Sequence, residues 1–192
     1  MLAVGSVALV ADNAVLAINA LAGFVVTFVP GITRRAWGIR FSGPIVLWLG
    51  VAVLFHTVGM AGWYETIWWW DHLTHTLSAA LLAALADTGI RLLADASDRI
   101  TLPPAFRLVL VLVLTLAAGV LWEVLEFLGR MLATRYGHQP LLVQYGLADT
   151  VLDLAFDGVG ALLGTGGLGW SDRGPVVSRT VDRGAASNRK TP

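Results

Sequence analysis

Cysteine is absent from all 192 residues, which excludes disulfides and thiolate metal ligands and leaves the redox compartment unreadable. Charge is scarce as well. Only 14% of the residues are charged, against about a quarter in an ordinary soluble domain. The formal net charge is zero, so the balance gives no case for a nucleic-acid partner. There is no serine or cysteine nucleophile elbow, which disfavours covalent acyl transfer, and no internal repeat. The first apolar run has no Lys or Arg ahead of it and no small-residue cleavage pattern, so it reads as a retained span rather than a signal peptide.

What is abundant is oil. Hydrophobic residues make up 56% of the chain and fall into runs long enough to cross a bilayer. The expected fold is all-α, a polytopic transmembrane helix bundle of about five spans in the cell (inner) membrane, with membrane lipid as its surroundings. Helix one is expected over Ala11 to Val29, ended by Pro30 and Gly31, with Leu2 to Val10 as an apolar extension. Helix two runs from about Gly43 to Gly62 and helix three from Trp69 to about Leu93. Helix four starts after Pro103 and Pro104, since proline suits a first helical turn, and reaches about Ala133. Helix five covers about Ala148 to Leu168. Residues 1–170 thus form one transmembrane domain, and 171–192, rich in Ser, Arg and Gly, read as a disordered cytoplasmic tail.

Basic residues set the direction. Arg34, Arg35, Arg40, Arg91, Arg99, Arg107, Arg173, Arg179, Arg183, Arg189 and Lys190, eleven of the thirteen Lys and Arg, fall on one side if the N-terminus is outside and the C-terminus cytoplasmic. Arg130 and Arg135 fall on the other. Trp63, Tyr64 and Trp68 to Trp70 then form an aromatic belt at the outer interface, with Trp37 and Trp170 at the inner one.

With that orientation the acids gather at one depth. Asp71 and His75 open helix three at its outer end. Glu123 lies about 22 Å up helix four from Leu108, and Asp149, Asp153 and Asp157 descend about 12 Å from the outer end of helix five. His56 lies in the outer half of helix two, and Asp12 and Asn13 open helix one. Asp71 and His75 are four residues apart, Glu123 and Glu126 three, and the aspartates of helix five four and eight, so each set shares a helix face. A charged group facing lipid costs a few kcal/mol at least, so these faces should look inward. Carboxylates gathered in this number cannot all be ionised without a compensating cation or bound protons, and only Arg130 and the histidines are near.

A divalent metal would supply the missing charge. Helix bundles hold carboxylate-bridged metals on pairs spaced like these, and an oxygen-rich set with imidazole suits Mg, Mn, Fe or Zn. The expected ligands are His75, Glu123, Asp153 and Asp157. Asp71 or Glu126 is left as general base, and His56, Asp149, Arg130 and His138 stand behind them. Blander readings compete. Asp71 favours a helix N-terminus by charge and His75 a wet interface. Glu126 has Arg130 one turn on, and Asp149 is placed to cap. His56 is equally a snorkelling residue, and a loop His138 is usually only solvated. His72 projects about 100° from Asp71 and is left out. Asp87 and Arg91 read as an ion pair at the inner interface, and Gly160 with Gly164 as a small-x-x-x-small packing face.

The runs WWWDHLTH, LWEVLEF and DTVLDLAFDGVGALLG together resemble the YjdF-like family of small inner-membrane proteins. More distantly they resemble VanZ-like proteins, over roughly Gly43 to Gly164. Asp71, His75, Trp122, Glu123, Glu126, Asp149, Asp153, Asp157, Gly160 and Ala161 fall on the motif positions. The resemblance implies a five- or six-span membrane protein with no settled catalytic role. VanZ-like proteins are linked to glycopeptide resistance, a pointer towards the cell envelope. Three function classes fit the residues: a metal-dependent enzyme acting on a lipid or envelope substrate, a proton- or cation-coupled transporter, and a structural or partner-binding protein whose polar core fixes helix register.

Overall fold

The computed structural model describes residues 1–97, 100–142, 144–167 and 177–179. The order is α1 (Leu2–Val10), α2 (Ala14–Val26), α3 (Val29–Trp37), β1 (Ile39–Phe41), α4 (Gly43–Val58), α5 (Tyr64–Thr66), α6 (Trp70–Asp95), α7 (Pro104–Tyr136), α8 (Leu147–Leu162) and β2 (Val177–Arg179). Wider π-type turns cover Gly59–Trp63 and Leu163–Gly167. Among the described residues four stretches are long and apolar enough to cross a membrane: Ala14–Trp37, Gly43–Thr66, Trp70–Asp95 and Pro104–Tyr136. The expected fifth is the 16-residue α8 with its π-type extension, which lies along α6.

The first span departs from expectation at both ends. Asp12 has a positive φ of 52°, and Asn13 caps α2 by accepting from the Leu16 amide at 2.9 Å, so Leu2–Val10 is a separate helix packed on α2. Pro30 and Gly31 do not end the run. Pro30 sits in the first turn of α3, where a missing N–H costs nothing and the fixed φ already suits a helix, so the span bends at Thr27 and Phe28 and continues to Trp37. Helix two keeps its expected length but turns at Gly62, whose φ of 107° favours glycine. The other boundaries lie within a few residues of those expected.

β1 pairs antiparallel with β2, Ile39 opposite Arg179. Those three residues fall within the stretch expected to be a disordered tail. The rest of 171–192 lies outside the described residues, as do the side chains of Arg99, Trp170 and the basic residues from Arg173 onward.

α6 is the axis of the bundle, packed against α8, α7 and α4. Its contact faces are small: Ala79, Ala80, Ala83 and Ala84 are all buried. A Cβ at Gly160 would run into the Thr76 carbonyl, and one at Gly164 into the Ala80 carbonyl, so the two glycines let α8 approach the α6 backbone as their spacing predicts. Large aliphatic residues face outward instead. Leu47, Leu121 and Val113 are 70%, 60% and 57% exposed, an arrangement that suits lipid and would be an aggregation liability in water.

Of the aromatic belt, Trp63, Trp68 and Trp69 are exposed, whereas Trp70 turns in. It stacks on Phe55 with ring centroids 4.9 Å apart, and its indole N–H reaches the Phe55 carbonyl. Tyr64 also points inward, to His56.

Candidate metal centre

Three helix ends meet at one pole of the bundle, because α6 and α8 begin there and α7, running the opposite way, has passed its midpoint. The inner face of α7 carries Val111, Thr115, Gly119, Glu123 and Glu126, spaced by four, four, four and three residues as a helical stripe requires. α8 contributes Asp153 and Asp157 from the stripe that continues into Gly160 and Ala161. α6 contributes Asp71, His72 and His75. Glu123, Asp153 and Asp157 are 4%, 1% and 4% exposed, and the Asp71 side chain, at 18%, forms the open side.

His75 is the centre of the group. Its Nδ1 lies 3.2 Å from Asp157 Oδ1; an ionised carboxylate can only accept, so Nδ1 carries the proton, and in the neutral imidazole Nε2 presents a lone pair. Nε2 lies 3.8 Å from Glu123 Oε1 and 3.9 Å from Asp71 Oδ1, too far for a hydrogen bond. Atoms bound at ~2.0–2.2 Å to one ion stand roughly 3–4 Å apart, and these separations fit that spacing. Asp71, His75 and Asp153 each offer a ligand atom within 4.8 Å of the others. Glu123 Oε1 and Asp157 Oδ2 are buried with no hydrogen-bond partner, a costly condition unless a cation is supplied. The acids' ion pairs among the described residues are all with histidine.

The chain matches a family model described as a predicted membrane protein (DUF2238) over residues 1–172. The chain belongs to that family. The assignment agrees with the YjdF-like resemblance of its motifs. No curated protein and no solved structure matches the chain.

Within this DUF2238 chain His72 corrects the sequence reading. Its Nδ1 lies 2.9 Å from Asp153 Oδ1, and its ring stacks on Phe156 at 4.7 Å. The angle from Asp71 was the wrong reference, since His72 and His75 are three residues apart and share the face turned to α8. Two parallel His–Asp pairs therefore bridge α6 and α8. Asp157 can press against α7 because position 119 is glycine; a Cβ there would collide with its carboxylate.

The outer candidates separate. His56 accepts or donates at 2.9 Å to the Tyr64 hydroxyl through Nδ1 and faces Asn19 Oδ1 at 3.4 Å through Nε2. Asn19 Nδ2 also donates to the Leu141 carbonyl. Helix one thus reaches the site's surroundings through Asn19, while Asp12 is exposed in the α1–α2 turn. Asp149 is not the N-cap of α8, which is Gly146 with no side-chain cap bond; it lies in the first turn and accepts from the Tyr145 amide at 3.2 Å. Arg130 is exposed and donates to the Gln144 carbonyl at 2.6 Å, not to Glu126. His138 is exposed in the α7–α8 loop. Nearby, burial pushes the Tyr145 phenol up to about 12, so at neutral pH it offers a donor and no charge. Glu126 is buried on the next turn of α7, within electrostatic reach of Glu123, Asp71 and His75.

Two further residues escaped the sequence reading. Thr150 donates to Glu123 Oε2 at 2.6 Å; it precedes Asp153 by three residues and Asp157 by seven, a spacing that places it on the acidic stripe. Asn19 stands alone in an apolar span, the kind of residue that marks function.

Proposed function

We propose that this pole of the bundle binds a divalent cation and that the protein is a metal-dependent membrane enzyme acting on a lipid or cell-envelope substrate. The observation that carries the reading is the buried, unpartnered Glu123 Oε1 beside an Asp71–His75–Asp153 group whose ligand atoms lie within 4.8 Å of one another. Asp71, His75 and Asp153 are the proposed ligands, with Glu123 Oε1 completing the set. Asp157 then orients His75 from behind, as carboxylates commonly do for metal-bound imidazoles. Sequence spacing suggested Asp157 as a ligand and Asp71 as a base; in this reading Asp71 is a ligand and Asp157 supports one. Mg, Mn, Fe and Zn all suit this donor set.

An ion held here would supply Lewis acidity or lower the proton affinity of a bound water. Glu126, next to the ligands without being one of them, is the proposed base that removes a proton from attacking water. Basic residues at the opposite end of the span-forming helices favour a site towards the extracytoplasmic leaflet. VanZ-like features, with their pointer to the envelope, agree with that placement.

A one-sided site fits an enzyme better than a transporter. Towards the other end α6 meets its neighbours through alanine and glycine, and Asp87 closes that end in ion pairs with Arg91 and Arg107 at 2.6 and 3.0 Å.

Elemental analysis of the detergent-purified full chain, with Mn(II) and Zn(II) titrations of wild type and Asp153→Asn, tests the reading. Metal is expected in wild type and lost in the variant. Wild type that neither retains nor binds a divalent ion ends it. Metal-dependent hydrolysis of lipid esters or phosphoesters in mixed micelles, abolished by Glu126→Gln, is the expected activity.

A further inference from the structure

Glu123 is held by a chain of donors that starts outside the acidic cluster. Thr150 Oγ1 lies 2.6 Å from Glu123 Oε2, and Gln144 Nε2 lies 3.3 Å from Thr150 Oγ1. A threonine hydroxyl has one proton, and an ionised carboxylate has none to give. The short contact therefore requires the Thr150 proton to point at Glu123. Thr150 must then accept from elsewhere, and the Gln144 amide N–H provides that hydrogen bond. The backbone carbonyl of Gln144 in turn accepts from Arg130 at 2.6 Å. With Oε2 engaged, the other oxygen, Oε1, is buried without a partner and stands 3.8 Å from His75 Nε2.

We infer that Thr150, backed by Gln144, is a positioning residue that holds Glu123 with Oε1 turned to the metal ligands, making Glu123 the fourth protein ligand. The inference rests on the divalent-cation reading above. Its physical content is that the donor pair fixes the carboxylate rotation before an ion arrives. Without it, Glu123 Oε2 loses its hydrogen bond, and the ion has to fix the rotation of the carboxylate. Partners of this kind change metal affinity by about 10- to 100-fold when removed. The Thr150–Gln144 link also ties the α7–α8 connection to the site, giving Arg130 an indirect part in it.

The test uses the full-length protein in detergent and four variants: Thr150→Val, Thr150→Ser, Gln144→Leu and Asp153→Asn. Mn(II) affinity is measured by competition, and Co(II) absorption reports the ligand set. T150V is expected to weaken Mn(II) binding by about tenfold and to alter the Co(II) bands. T150S, which keeps the hydroxyl, restores both, and Q144L shifts affinity in the same direction by less. If T150V fails to fold, Q144L decides alone. Wild-type affinity and spectrum in every folded variant of Thr150 and Gln144, with D153N unable to bind, overturns the positioning role and leaves the metal reading standing. No binding by wild type removes the metal reading and this inference together.

Discussion

Asp157 presents one oxygen to His75 and the other to the space left by Gly119, so two substitutions probe it from opposite sides. Asp157→Asn keeps the volume and an acceptor but removes the charge behind the imidazole. Metal affinity measured by Mn(II) competition is expected to fall by about tenfold. Gly119→Ala puts a methyl group where the Asp157 carboxylate and Leu154 now lie. The overpacking should cost roughly 1–3 kcal/mol, seen as a lower unfolding midpoint in detergent. An unchanged midpoint would mean that α7 and α8 are not in the contact described. At this scale the charged residues were the most legible, because an acid inside an apolar helix needs a reason. His72 was missed through the choice of reference angle. Thr150 was missed because a threonine in a helix can satisfy itself on a carbonyl one turn back and so raises no alarm in a sequence.

Helices α6 and α8 are joined through glycine, and that join can be tested without touching the acids. Gly160→Val sets a branched side chain against the Thr76 carbonyl and Ala79. It should destabilise by about 1–3 kcal/mol, or separate the helices and abolish metal binding. Gly158→Ala is the matched control, since a Cβ there meets nothing within 4 Å, and better helix propensity makes it neutral or stabilising by up to about 1 kcal/mol. If both variants lose the same stability, close approach is not what the glycines provide. The small-x-x-x-small spacing was readable because it encodes a helix face directly. Pro30 was misread because proline breaks a helix interior yet suits a first turn, and nothing local distinguishes the two when a span bends instead of stopping.

For the molecule as a whole, the absence of cysteine becomes useful. A single cysteine placed at His138 or at Ala96 is a unique reporter of sidedness. Labelling of intact cells with a membrane-impermeant maleimide is expected at 138 and not at 96. The reverse pattern would turn the site to the cytoplasm. At the end away from the acids, Asp87→Asn leaves Arg91 and Arg107 without their shared carboxylate. Breaking one partner of a buried pair costs about 3–5 kcal/mol, discounted here because both arginine side chains are about one-third exposed. Metal affinity should stay unchanged, since apolar packing that includes Ala83, Ala84 and Val111 separates the two ends. α7 adds a last consequence. Its 33 residues extend about 50 Å, beyond a hydrocarbon layer of about 30 Å, and Glu123 stands about 24 Å above Arg107. Were Arg107 level with one hydrocarbon boundary, Glu123 would lie about 6 Å inside the opposite one, where a change in membrane thickness alters how wet the acids are. On the divalent-cation reading, metal exchange is expected to be faster in short-chain than in long-chain vesicles.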